Sequence, residues 1–163
     1  AAEMKNCPGL QRRLVDGQQV GKLNVAKEFS YDTSKKAGDG WVLVGDACGF
    51  IDPIYSSGVF LALKSGVMAG EAVAEGLFNN DLSAKQLGRW TKEYDEGVTW
   101  IRKLVRTFYN KNFSFGEFMR EYPQHGPNLT ALLIGRVFDG TPGAMFEDLD
   151  PWLKKLAGKE VNA

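Results

Sequence analysis

The chain is poor in the residues that build metal centres and disulfide frameworks. Its 163 residues include two cysteines, Cys7 and Cys48, and one histidine, His125. Two isolated thiols make no disulfide framework or zinc site, and one imidazole rules out a histidine-based metal cluster. No metal is expected. Neither sign of charge is in excess, with 20 basic residues against 20 acidic ones. No net field draws in a polyanion, so no nucleic-acid partner is expected. A bilayer span is absent too: the most apolar stretch, Val59 to Phe78, is broken by Lys64, Glu71 and Glu75. The N-terminus has no apolar core of signal-peptide type, and with so few cysteines this predicts a reducing, cytoplasmic setting. The chain starts without an initiator methionine, which leads us to expect a piece cut from a longer polypeptide.

What is present is ordinary for a globular protein. Hydrophobic residues make up 44% and charged ones 25%, enough for one domain with a sizeable core and too short for two independent domains. Residues Glu3 to Leu14 read as a short helix end or turn, broken at Cys7-Pro8-Gly9. Imperfect alternation from Val20 to Tyr31 suits one or two half-exposed strands. Trp41-Val42-Leu43-Val44, after a Gly-rich turn, reads as a buried strand. A long helix follows from Val59 to Phe78, and Ser83 caps a second running from Ala84 to Phe108. A third helix is predicted from Asn128 to Asp139, and Asp150-Pro151 opens a short last one. Ala62, Gly66, Gly70 and Ala74, four apart, form a smooth stripe read as a packing surface. The fold class is α+β, a few strands followed mainly by helices.

The chemistry lies between strand and helix, in Gly45-Asp46-Ala47-Cys48-Gly49-Phe50-Ile51-Asp52-Pro53-Ile54-Tyr55-Ser56-Ser57-Gly58. A carboxylate directly after a strand sits at the sheet's carboxyl edge, where it can accept hydrogen bonds from sugar-like hydroxyls. Gly45 has no side chain to obstruct a close approach. At Ser57-Gly58 a helix begins, and its first amides have no intrahelical acceptor, so they attract an anion or an electron-rich oxygen. Polyol at one end and negative charge at the other is a flavin-shaped combination.

This segment resembles the second flavin-binding motif of the FAD-dependent halogenases, within the fold shared by aromatic hydroxylases and geranylgeranyl reductases. That motif has Gly-Asp-Ala, an apolar stretch, Asp-Pro, and a small-residue triplet ending in glycine, all in order from Gly45 to Gly58. The resemblance spans roughly residues 5 to 110, is specific from Gly45 to Gly70 and fades after about Asn112. It implies an FAD site in which Asp46 meets the ribityl hydroxyls after Gly45. It further implies that Pro53 shapes the turn beside the ring and that Ser57 and Gly58 hold a halide at the ring's edge.

The same resemblance implies that residues 1–112 are the C-terminal part of an FAD-binding domain and residues 113–163 a helical extension. A small-molecule substrate is implied, with a flavin reductase or other source of reduced flavin. Tryptophan-directed members have glutamate where this chain has Tyr55, so members acting on phenols or pyrroles fit better. The Gly-x-Gly-x-x-Gly fingerprint of the N-terminal nucleotide fold is absent, as are the halogenase lysine and the tryptophan-containing motif. No catalytic residue can be assigned, and the chain alone is expected to be inactive.

Other readings stand beside this one. Monooxygenase chemistry uses the same site, and a geranylgeranyl reductase-like enzyme would use Gly45-Asp46 without a halide. A fragment that binds no flavin and serves only for association is the remaining alternative. Asp52 reads as structural, Ser56 and Ser57 also suit helix caps, and Cys48 reads as a small apolar filler. His125 reads as a surface or structural loop residue, and Trp90, Trp100, Phe108 and Tyr109 as core or wall residues.

Overall fold

The computed structural model describes residues 2–27 and 29–160; Ala1, Glu28 and 161–163, which fall within the expected N-terminal, strand and C-terminal segments, lie outside it. Two short helices, α1 (Ala2–Lys5) and α2 (Pro8–Arg13), come first. They are followed by extended chain in which Val20, Leu23 and Val25 are exposed. The strands expected there reduce to β1 (Tyr31–Asp32): Val20, Leu23 and Val25 stay in solvent, and Phe29 meets the Phe50 ring at 5.8 Å.

Three more two-residue strands follow: β2 (Ala37–Gly38), β3 (Trp41–Val42) and β4 (Gly49–Phe50). Antiparallel pairing sets Tyr31 opposite Phe50 and Ala37 opposite Val42. The buried strand expected from Trp41 to Val44 is therefore corrected. It is two residues long, it pairs only with β2 among the described residues, and Trp41 and Val44 are exposed. An apolar run is buried as a strand only when neighbours cover both faces and edges.

The long helix is found as predicted, as α3 (Gly58–Phe78). Leu61, Ser65, Met68, Ala69, Ala72 and Gly76 recur at helical spacing and form its buried face. Asn80 ends it in the left-handed conformation, with Asp81 N–H on Gly76 C=O and Asn80 N–H on Leu77 C=O, the two bonds of a Schellman cap. The small-residue stripe departs from its predicted role. Gly66, Gly70 and Ala74 are exposed, and a Cβ at Gly66 or Gly70 would meet no described neighbour, whereas Ala62, at the stripe's start, lies against Gly45.

The second predicted helix is split into α4 (Ala84–Leu87) and α5 (Thr91–Phe108). Ser83 caps α4 as expected, accepting from Gln86 N–H. The break falls at Gly88, where the Trp90 indole N–H donates to Leu87 C=O at 2.9 Å and occupies a carbonyl that a continuous helix would use. Tyr94, Val98, Ile101, Leu104 and Val105 form the buried face of α5.

Three helices close the other side: α6 (Phe115–Glu121), α7 (Gly126–Leu133) and α8 (Gly143–Glu160). The third predicted helix thus ends at Leu133 rather than Asp139, since Gly135 takes a left-handed φ of 80°. The last one starts before Pro151 and contains it, because Met145, Phe146 and Leu149 bury an apolar stripe that outweighs the proline's local cost. Trp100 of α5 stacks on Phe146 of α8 at 5.1 Å.

His125 is structural, but it is buried rather than on the surface. Its Nε2 lies 2.8 Å from Asp148 and its Nδ1 3.3 Å from Asn128 Oδ1, and its ring stacks on Phe118. Asn128 donates in turn to Thr141 C=O. One imidazole thereby ties α6, α7 and α8 together.

Candidate functional site

Gly45 begins the motif with φ 56°, the left-handed region where a side chain would be strained. A Cβ there would sit 3.3 Å from that of Ala62, so the loop lies directly on α3. The Gly45 N–H donates to Ser65 Oγ at 2.9 Å, and that hydroxyl donates to Ala62 C=O. Ser65, fully buried, was not singled out in the sequence. Its only sequence signal is a polar residue at a core position of an otherwise apolar helix face.

Gly45–Ala47 makes one 3-10 turn. The turn turns Asp46 outward: its carboxylate is exposed and has no hydrogen-bond partner among the described residues. Its backbone is held instead, since the Tyr31 hydroxyl donates to Asp46 C=O. Cys48 goes inward, fully buried, and burial pushes its thiol up to about 11. This is the apolar filler the sequence suggested.

Beneath that loop lies a charged group. Lys36 is buried, its Nζ 3.0 Å from Asp32 and 2.9 Å from Asp95. Asp95 Oδ1 meets this ammonium and has no other partner among the described residues. Arg102 holds the other Asp32 oxygen at 2.9 Å. Burial acts to lower the Lys36 ammonium's pKa, but the two carboxylates outweigh it and hold the value above the ordinary one. The Arg102 hydrogen bond keeps Asp32 below the usual carboxylate range.

Asp52 caps the second 3-10 turn, Pro53–Tyr55, accepting from Ile54 N–H at 3.0 Å, which agrees with its structural reading. Ser56 then adopts a left-handed conformation, φ 53° and ψ 34°, which reverses the chain into α3. Ser57 is the N-cap, yet its hydroxyl caps nothing. The first main-chain bond of the helix is Leu61 N–H to Ser57 C=O, so the N–H groups of Ser57, Gly58, Val59 and Phe60 stay unpaired among the described residues.

A small hollow of about 70 Å³ brings together Gly45, Asp46, Pro53 and Gly58, four of the five predicted site residues. Ser57 lies apart from it. With Ser56 it lines a second hollow of about 180 Å³, whose walls include Tyr55, Phe60 and Leu132. Sequence reading gave no role to the segment around Leu132, which arrives from the far end of the chain. A wider groove of about 310 Å³ runs past Tyr31, Phe50 and Arg102. It is more open, and its Arg102 is already engaged by Asp32.

No protein-family model matches the chain. Sequence comparison gives 31% identity over 137 residues with 1H-pyrrole-2-carbonyl-(peptidyl-carrier protein) chlorinase of Pseudomonas fluorescens, covering 84% of this chain and 30% of that protein. A brominase acting on the same carrier-bound group, from Pseudoalteromonas luteoviolacea, is 31% identical over 81% of this chain and 32% of its own length. Flavin-dependent halogenase armH1 of Armillaria mellea is 40% identical over 68% of the chain and 21% of its length. Among solved structures, flavin-dependent brominase Bmp2 superposes with a TM-score of 0.66 at 30% identity, covering 93% of this chain and 39% of that one.

The homologues of this chain are flavin-dependent halogenases, oxidoreductases to whose C-terminal part it corresponds. It spans about a third of the length of the pyrrole-halogenating relatives. Its mainly helical structure with a few short strands agrees with the α+β expectation. No described helix is long and apolar enough to cross a membrane, and no described cluster of His, Cys, Asp and Glu could hold a metal ion.

Proposed function

We propose that this chain is the flavin-ring half of an FAD-dependent halogenase, with residues 1–112 completing the FAD-binding domain and residues 113–163 forming a helical extension. One observation carries the reading: a partnerless carboxylate at Asp46 and the bare N–H of Gly58 face one hollow, in a chain whose homologues are flavin-dependent halogenases. Asp46 accepts from the ribityl hydroxyls, and Gly45 lets the cofactor approach the backbone closely. Pro53 fixes the turn beside the ring. The amides of Ser57 and Gly58 bind halide through oriented dipoles.

Bound FAD, once reduced, supplies the reaction with dioxygen that oxidises the halide. The chain's own contribution is to hold and orient. The Ser56 reversal aims the amides, and the Ser65 clamp on Gly45 fixes their distance from Asp46. The remainder of the flavin grip and the catalytic lysine belong to the full-length protein, which works in the cytoplasm with a flavin reductase and a small aromatic substrate.

The test is Asp46→Ala in the full-length protein. Because that carboxylate supports no described part of the fold, stability should change by less than about 0.5 kcal/mol. Flavin affinity, followed by visible absorbance, should fall at least tenfold, and wild-type turnover should require chloride or bromide. Unchanged flavin binding in the variant, or turnover without halide, would overturn the assignment.

A further inference from the structure

Beneath the loop that presents Asp46, the chain buries a cation. Among the described residues Lys36 is the one lysine or arginine that is buried. Its ammonium has three protons and meets three acceptors: Asp32 at 3.0 Å, Asp95 at 2.9 Å and Thr33 C=O at 3.4 Å. No proton is left over for a substrate or cofactor, so the role of Lys36 is to hold. Stability alone does not account for it, because desolvation offsets much of the attraction in a buried ion pair and an apolar side chain of similar volume would serve as well. What a charge network adds is direction, since each bond fixes two elements relative to one another.

On one side of the network is α5. Asp95 and Arg102 lie about two turns apart on one face of that helix. Arg102 donates to the second Asp32 oxygen at 2.9 Å and to Tyr31 C=O at 3.5 Å.

On the other side is the loop itself, gripped by the segment from Tyr31 to Lys36. The Tyr31 hydroxyl donates to Asp46 C=O, and Thr33 donates to Cys48 C=O from its hydroxyl at 2.6 Å and from its N–H at 3.3 Å. Asp32 pairs with Gly49 between β1 and β4. A Cβ on Gly49 would fall 3.0 Å from Asp32 Oδ1 and 3.5 Å from the Arg102 guanidinium, so the loop rests directly on the charged group. Asp46 thus stands between two fixed points, Gly45 on Ser65 and Cys48 on Thr33. The Ser57–Gly58 end of the motif is held by other contacts, through Asp52 and Tyr109.

We infer that Lys36 is a positioning residue: with Asp32, Asp95 and Arg102 it bolts the Tyr31–Lys36 segment to α5 and so sets where Asp46 stands for the cofactor. That the cofactor is a flavin rests on the proposed function; that the loop is held in this way does not. Because the lock acts on the Asp46 end alone, its loss misplaces the carboxylate and leaves the amides assigned to halide where they are.

The experiment compares wild type, Lys36→Met, Asp95→Asn and the double variant in the full-length protein. Flavin affinity is read by visible absorbance, halide KM at saturating flavin, and main-chain hydrogen exchange over residues 45–50. Lys36→Met keeps the apolar stem and removes the charge. It should weaken flavin binding about tenfold, the scale of loss when a binding group is misplaced by a fraction of an ångström. Exchange over 45–50 should quicken while halide KM stays unchanged. Asp95→Asn leaves Lys36 on Asp32 and should give the same pattern to a smaller extent, which keeps the test open if Lys36→Met does not fold. The double variant removes the carboxylate that would face an apolar side chain, so resistance to urea should recover, but the tie to α5 stays broken and flavin affinity should remain low. Recovery of flavin affinity along with stability in the double variant, a halide KM that rises in step with the flavin Kd, or flavin binding unchanged in Lys36→Met would overturn the inference. A wild type that takes up no flavin, with loop exchange still quickened by Lys36→Met, would instead overturn the proposed function and leave the lock standing.

Discussion

The hydroxyl of Tyr109 lies 3.2 Å from both carboxylate oxygens of Asp52. It joins the end of α5 to the Asp-Pro turn that leads into α3, fifty-seven residues away in sequence. Since Asp52 also caps Pro53–Tyr55, this contact fixes the turn from which the Ser57 and Gly58 amides emerge.

Loss of hydration and the neighbouring Asp52 carboxylate both push the Tyr109 phenol above its ordinary value of 10.0. An acid whose folded pKa is raised keeps its proton after the unfolded chain has lost it, so its contribution to stability falls as pH rises above 10.0. Ultraviolet difference titration should show one tyrosine ionising late, assigned by its disappearance in Tyr109→Phe. Asp52→Asn should bring it back toward the ordinary value. A Tyr109 titration unaffected by Asp52→Asn would break the link.

Gly97 on α5 faces Phe138. A Cβ there would fall 2.3 Å from that ring, which also lies 5.9 Å from Phe60 and 6.1 Å from Tyr94. Gly97→Ala therefore has to displace Phe138, and overpacking of this kind costs about 1–3 kcal/mol despite alanine's better helix propensity. Urea denaturation would measure it. A stabilised variant would contradict the packing of Phe138 against Phe60 and Tyr94.

Cys48 is fully buried and Cys7 exposed. Burial pushes the Cys48 thiol from 9.0 up to about 11. The unfolded thiol ionises first, so stability should fall as pH rises through 9.0 and level off near 11. Two pKa steps correspond to a loss of roughly 2–3 kcal/mol. Urea unfolding across that range should be steeper in the wild type than in Cys48→Ala. A disulfide-exchange reagent at about pH 8 should label Cys7 and reach Cys48 only after denaturant is added.

The motif and the element that carries it could both be read from the chain. Gly-Asp-Ala, Asp-Pro and Ser-Ser-Gly in order mark the loop because each reports a local backbone need. Gly45 takes a left-handed φ, Asp52 caps its own turn, and α3 follows from a 3.6-residue apolar period. Local signals of this kind act over a few residues and survive whatever the rest of the fold does.

Tertiary structure decided what depends on distant partners. Trp41 to Val44 has the composition of a buried strand, yet burial is conferred by neighbours and only β2 pairs with it among the described residues. The stripe on α3 has the pattern of a packing surface and still faces outward at Gly66 and Gly70. Gly88 divided one helical period into two helices once the Trp90 indole took the Leu87 carbonyl. Leu132 and Gly135 reach Ser57 from more than seventy residues away, and His125 becomes buried only where three helices meet. A sequence states which residues can bury surface or donate a hydrogen bond, whereas the partner that satisfies each is chosen by the packing of the whole chain.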